Sequence, residues 1–211
     1  MSKFIKSSLL AVATALSMGA HAAPTASYDF YSNGGGWVDS LTNSLNFTAN
    51  GIGLTITPVS TNSDAKVAYR WDGIGLSAGF LEPNELNSSL LHTPGDALLL
   101  SFNQAVSLNS VAFSLWEGNS LGALDKATIT TGGQTYALSA SLNDGGFFVD
   151  TFGLTGVIPA GQFFVIQAQG DLSSFRLAGL NVTAAVPEAS TTAMFVLGLA
   201  GVAAVVRRRK V

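Results

Sequence analysis

The sequence predicts an all-β protein: a single β-sandwich, jelly-roll or immunoglobulin-like in topology, between an N-terminal signal peptide and a C-terminal hydrophobic helix. Three observations lead there. From residue 23 to residue 185, short apolar and aromatic runs are separated by clusters of Gly, Asn, Asp and Ser, the pattern of many strands joined by turns. Most runs are five to seven residues long, short of the roughly 9–11 residues that each strand of an outer-membrane barrel needs. No stretch of this region keeps a 3.6-residue apolar period long enough for a major helix; the nearest, Glu82 to Leu91, is polar and short.

Leu45-Asn46-Phe47-Thr48-Ala49 and Leu54-Thr55-Ile56-Thr57 alternate apolar with polar residues, so each strand buries one face and wets the other. Asn50-Gly51 between them suits a hairpin because both residues tolerate positive φ, and the apolar Ile52-Gly53 that follows suggests a longer or bulged loop. Further strands are expected at Lys66 to Trp71, Ala97 to Phe102, Ser110 to Trp116, Ala127 to Thr131, Gln134 to Ser139, Phe147 to Leu154, Phe163 to Gln169 and Phe175 to Val182. In Ser110 to Trp116 the inward set should be Val111, Phe113 and Leu115, leaving Ala112, Ser114 and Trp116 on the other face. Gly132-Gly133 offers a two-residue connection between its flanking runs. The number and spacing of runs imply two sheets. The polar connection Phe80 to Gly95 is the expected place for a lid or binding loop.

The chain has no cysteine, which excludes disulfides, thiolate nucleophiles and Cys-containing zinc sites. Packing alone must hold the 163 residues of the middle region. A domain of about 150 residues buries roughly 68–70% of its unfolded surface, so one core suffices.

The two ends have a different character. Lys3 and Lys6 precede an apolar run from Leu9 to Met18, and Ala20-His21-Ala22 places small residues where a signal peptidase reads them, the layout of a secretory signal peptide over residues 1–22. At the other end, residues 186–211 hold Val186-Pro187-Glu188-Ala189-Ser190, an apolar run from Ala193 to Val206, and Arg207-Arg208-Arg209-Lys210. That order places the basic stop on the cytoplasmic side. The three parts together resemble the PEP-CTERM signal that exosortases recognise in Gram-negative bacteria. Pro187 and Glu188 match the pattern, while Ala189 stands where a second proline is usual. The resemblance implies an exported substrate of an exosortase-type sorting enzyme, held transiently in the inner membrane and then passed to the cell surface or extracellular matrix. An ordinary single-span anchor is the alternative. Fourteen apolar residues rise about 21 Å, against a hydrocarbon core of roughly 30 Å, short for a permanent span.

Charge and composition exclude several partners and chemistries. Between Ala23 and Ala185 four basic side chains, Lys66, Arg70, Lys126 and Arg176, face twelve acids, a formal charge of −8. Such a surface repels nucleic acid and anionic headgroups. His92 is the one histidine left after export, so no two-histidine metal site is available, and no Gly-x-Ser-x-Gly elbow accompanies it. Gly34-Gly35-Gly36 and Asp144-Gly145-Gly146 lack a following helix and lysine, so they read as loops. No catalytic residue is assigned. Glu82, Glu85, Asp96, Glu117 and Asp125 supply loop carboxylates for a glycoside hydrolase, a trailing alternative that requires two acids about 5 to 9.5 Å apart.

Calcium is the one cofactor the composition admits, as a structural ion among Asp72, Glu82, Glu85 and Asp96. Trp37, Trp71 and Trp116 each lie next to an acid or an acid-containing turn, a pairing suited to stacking on a sugar ring while a carboxylate accepts its hydroxyl hydrogen bonds. The sequence therefore leads to a non-enzymatic surface or matrix protein, structural or adhesive and associated with exopolysaccharide, with a carbohydrate-binding module as the alternative.

Overall fold

The structure, a computed structural model, describes residues 22–31, 40–60, 64–77, 84–88, 95–116, 125–139, 149–170 and 172–185, with residues 198 and 200. The sorting residues Val186 to Glu188, the basic run Arg207 to Lys210 and the signal-peptide residues 1–21 lie outside them. So do Trp37, Glu82, His92 and Glu117. Among the described residues no helix is long and apolar enough to cross a membrane. Pro24–Ala185 forms a compact unit, and it is all-β, as expected.

Its strands are β1 (Thr25–Asp29), β2 (Ser40–Thr42), β3 (Leu45–Ala49), β4 (Ile52–Val59), β5 (Lys66–Arg70), β6 (Gly73–Ser77), β7 (Leu86–Asn87), β8 (Ala97–Ser114), β9 (Lys126–Thr131), β10 (Gln134–Ser139), β11 (Val149–Gly153), β12 (Gly161–Gln169) and β13 (Ser174–Ala184). Among the described residues every pairing is antiparallel. Short connections favour that arrangement, since parallel neighbours need crossovers of a dozen residues or more. At Asn50-Gly51 the φ angles are 50° and 79°, and Ala49 faces Ile52 directly. The connection is a tight two-residue turn rather than the longer loop expected. Ile52 is itself buried and begins the inward series Ile52, Leu54, Ile56, so the strand starts at once. Gly132-Gly133, at 55° and 77°, closes the β9–β10 hairpin in the expected way.

The run Ala97 to Phe102 and the run that starts at Ser110, as far as Ser114, are parts of one strand, β8, of 18 residues. Val106 and Leu108 are buried between them and carry the inward alternation across the polar Asn103-Gln104. The phase then slips by one residue at Asn109, where the register with β13 jumps from Leu108–Val182 to Ser110–Asn181. The bulged Asn109 is held by its side-chain amide, which donates to Asn181 at 2.9 Å and Thr183 at 2.7 Å. The first half of β8 pairs with β4 and β12, the second half with β11 and β13. Hydrogen bonding is therefore continuous through one large sheet, where two separate sheets were expected. Strands from the two halves nevertheless face one another. Tyr28 of β1, which pairs with β13, lies 6.4 Å from the ring of Phe102, and its hydroxyl donates to Ile52 O at 2.7 Å. Phe30 meets Phe47 of β3 at 5.0 Å.

Burial pushes the Tyr28 hydroxyl above its ordinary pKa of 10.0, and burial together with the nearby Asp29 carboxylate pushes Tyr69 the same way. The unfolded tyrosines ionise first. The stability these groups supply is complete below the unfolded value and is lost as pH rises through the folded one. Urea midpoints should thus be insensitive to these groups up to roughly pH 10 and fall above it. Tyr28→Phe should shallow that alkaline fall, at a baseline cost of about 1 kcal/mol for the lost hydrogen bond. An unchanged alkaline slope in Tyr28→Phe would contradict the assignment.

Candidate functional site

Arg176 stands in the otherwise apolar stretch Phe175 to Leu180 of β13, where a charge is tolerated only with partners. Both partners are residues that the sequence suggested for calcium. Nη1 donates to Asp72 Oδ2, Nη2 to Glu85 Oε1 at 2.9 Å, and Nε to Asn84 O at 3.2 Å. Ser174 Oγ binds the other Glu85 oxygen, and Ser114 Oγ donates to the Asp72 carbonyl. Two glycines permit this approach. A Cβ on Gly75 would lie 2.2 Å from Asn84 O, and one on Gly73, at φ 138°, would lie 2.8 Å from Leu177 O.

Asp96 is turned elsewhere and accepts from Asn87 N at 3.1 Å, while Asp125 accepts from Ser174 N at 2.9 Å. Calcium takes six to eight oxygens. Among the described residues no group of three or more His, Asp or Glu is arranged for a metal. Asp72 and Glu85 do come together as a cation site would require, but their cation is the guanidinium of Arg176. Of the other residues suggested for calcium, Asp96 lies apart from this pair and Glu82 is outside the described residues. An arginine inside an apolar strand was the available signal, passed over because its partners are 104 and 91 positions away.

The tryptophans separate sharply. Trp116, expected on the outer face, has 0% exposure. It stacks on Phe113 at 4.8 Å and meets Phe175 at 4.8 Å and Phe152 at 5.3 Å. Leu115 has φ 59°, which ends the strand and breaks the two-residue alternation, so Trp116 returns to the side of Phe113. It cannot stack on a sugar. Trp71 is 48% exposed and lies beside Tyr31, ring centroids 6.1 Å apart.

Tyr31 also borders a trough of about 400 Å³ on the outer face of the strand series β11, β8, β13, β1. Register explains its shape. Thr151, Ala112, Gly179 and Asp29 fall in one row across these strands. Ser110, Asn181 and Ser27 fall in the next. In the first row the small Ala112 and Gly179 lie at the centre with Thr151 and Asp29 at the ends, so the middle of that row is recessed. Gly179 keeps it so, because a Cβ there would come within 3.0 Å of Tyr28 O. Among the described residues Asp29 is the one charged residue lining the trough, and its Oδ1 accepts from Tyr31 N at 2.9 Å.

Residues 185–210 match the PEP-CTERM protein-sorting motif. No curated protein matches the chain. The PEP-CTERM match takes in Val186, Pro187, Glu188 and the basic residues Arg207 to Lys210, as the sequence resemblance expected, and the departure at Ala189 does not abolish it. A PEP-CTERM signal implies an exported, surface-directed protein processed by an exosortase-type enzyme. It covers 26 residues of 211 and bears on sorting alone.

Proposed function

We propose that this is a non-catalytic component of the cell surface or extracellular matrix, structural or adhesive and associated with exopolysaccharide. It is exported through a signal peptide cleaved after Ala22 and held briefly in the inner membrane by the segment Ala193 to Val206. It is then detached by an exosortase-type enzyme. The PEP-CTERM motif is the observation that carries the export and sorting in this reading, and the order of acidic motif, apolar run and basic stop agrees with it.

The use of the described carboxylates supports a non-catalytic role. Glu85, Asp96 and Asp125, which a hydrolase would need facing a substrate, are engaged by Arg176 or by backbone amides of the domain itself. Replacing Pro187 and Glu188 together with alanine, in cells that possess the sorting enzyme, should leave most of the protein in the membrane fraction and deplete the surface fraction. Undiminished surface protein in that variant would refute the role of the motif.

A further inference from the structure

The geometry points to the trough on the outer face of β11, β8, β13 and β1 as a binding site for an uncharged polysaccharide, with Tyr31 and Trp71 as its aromatic end. This rests on the reading of the protein as polysaccharide-associated and names the surface that makes the association. The recess of about 400 Å³ falls within the usual range for a ligand site. Its floor, Ala112 and Gly179, is small enough for a ring to lie against the sheet.

Ser27, Thr151 and Asn181 bring hydroxyl and amide groups to its lining. Sugar hydroxyls both donate and accept, so they match a mixed set of this kind. The C–H face of a sugar stacks on exposed aromatic rings, and Trp71 with Tyr31 presents such a pair at the edge.

Charge and backbone chemistry narrow the occupant. Among the described residues no cation lines the trough and Asp29 is the one charged residue that does, and the domain carries a formal −8, so an anionic glycan or nucleic acid meets repulsion. A peptide strand would require unpaired backbone groups, yet β8 and β13, which form the floor at Ala112 and Gly179, are each paired on both sides. A neutral glycan is the occupant that this surface suits.

The test is affinity electrophoresis of the exported protein in gels containing dextran, laminarin, galactomannan or the neutral fraction of the producing cells' exopolysaccharide, with alginate as the anionic control. Retardation is expected in at least one neutral gel and not in alginate. Trp71→Ala should weaken it by about tenfold. Ala112→Phe should abolish it by filling the floor. Ser27→Trp, at an exposed rim position, should also abolish it without touching the core, which keeps the test decisive where Ala112→Phe fails to fold.

Absence of retardation in every neutral gel, equal retardation of Trp71→Ala and Ser27→Trp, or stronger retardation in alginate would overturn the proposal. Self-association of the protein that Ser27→Trp disrupts, without glycan binding, would overturn it in favour of a second copy as occupant. Failure here leaves sorting untouched, since a correctly processed protein that binds no glycan argues against the trough alone. A mis-sorted one that still binds argues against the sorting reading alone.

Discussion

Arg176→Ala should destabilise the domain by about 3–5 kcal/mol, the usual cost of leaving a buried charge without its partner. The guanidinium lies between Asp72 and Glu85, and all three side chains are largely shielded from water, at 8%, 6% and 15% exposure. Removing it leaves two carboxylates facing one another in a medium that solvates neither well. For a domain of this size, each kcal/mol lowers the melting temperature by roughly 2–4 °C, so the loss should be plain in thermal and urea unfolding. Converting all three residues to apolar ones of similar volume should recover much of the loss, since the charges are then removed together. A loss below about 1 kcal/mol in Arg176→Ala would place this group with ordinary surface ion pairs.

Trp116→Ala should cost a similar amount, about 3–5 kcal/mol, because an aromatic side chain packed on all sides leaves a cavity that its neighbours fill only in part. Phe113, Phe152 and Phe175 all contact the indole. Trp71→Ala is the matched control. At 48% exposure it should change stability by no more than about 0.5 kcal/mol, although it should weaken glycan retention. The pair is read by urea denaturation, and a Trp116→Ala domain as stable as the parent would remove Trp116 from the core.

The strands that were legible in the sequence are those with clean alternation between turn signals. Leu45–Ala49 and Gln134–Ser139 have the expected bounds. Among the strands not foreseen, β6 is one in which glycine conceals the pattern. β6, Gly73-Ile74-Gly75-Leu76-Ser77, reads as a turn by composition, yet its glycines are there because Arg176 and the segment at Asn84 approach too closely for a side chain.

The misplacement of Trp116 has a related origin. A two-residue period predicts faces only while φ stays extended, and Leu115 at φ 59° resets the phase. In the candidate site, Trp71 was found by its neighbouring acid. Tyr31 and the recess beside it depend on register among four strands drawn from residues 25 to 184, and local sequence does not encode register between segments so far apart. The sorting tail was legible because it works as a linear signal, through the order of its parts.

Mass spectrometry of the C-terminal peptide of the surface-exposed protein is the most direct measurement of how this chain is used. The expected result is a mature protein that ends upstream of Arg207, with the apolar run and the basic residues removed. An intact peptide reaching Lys210 and Val211 on protein recovered from the surface of cells that possess the sorting enzyme would contradict it.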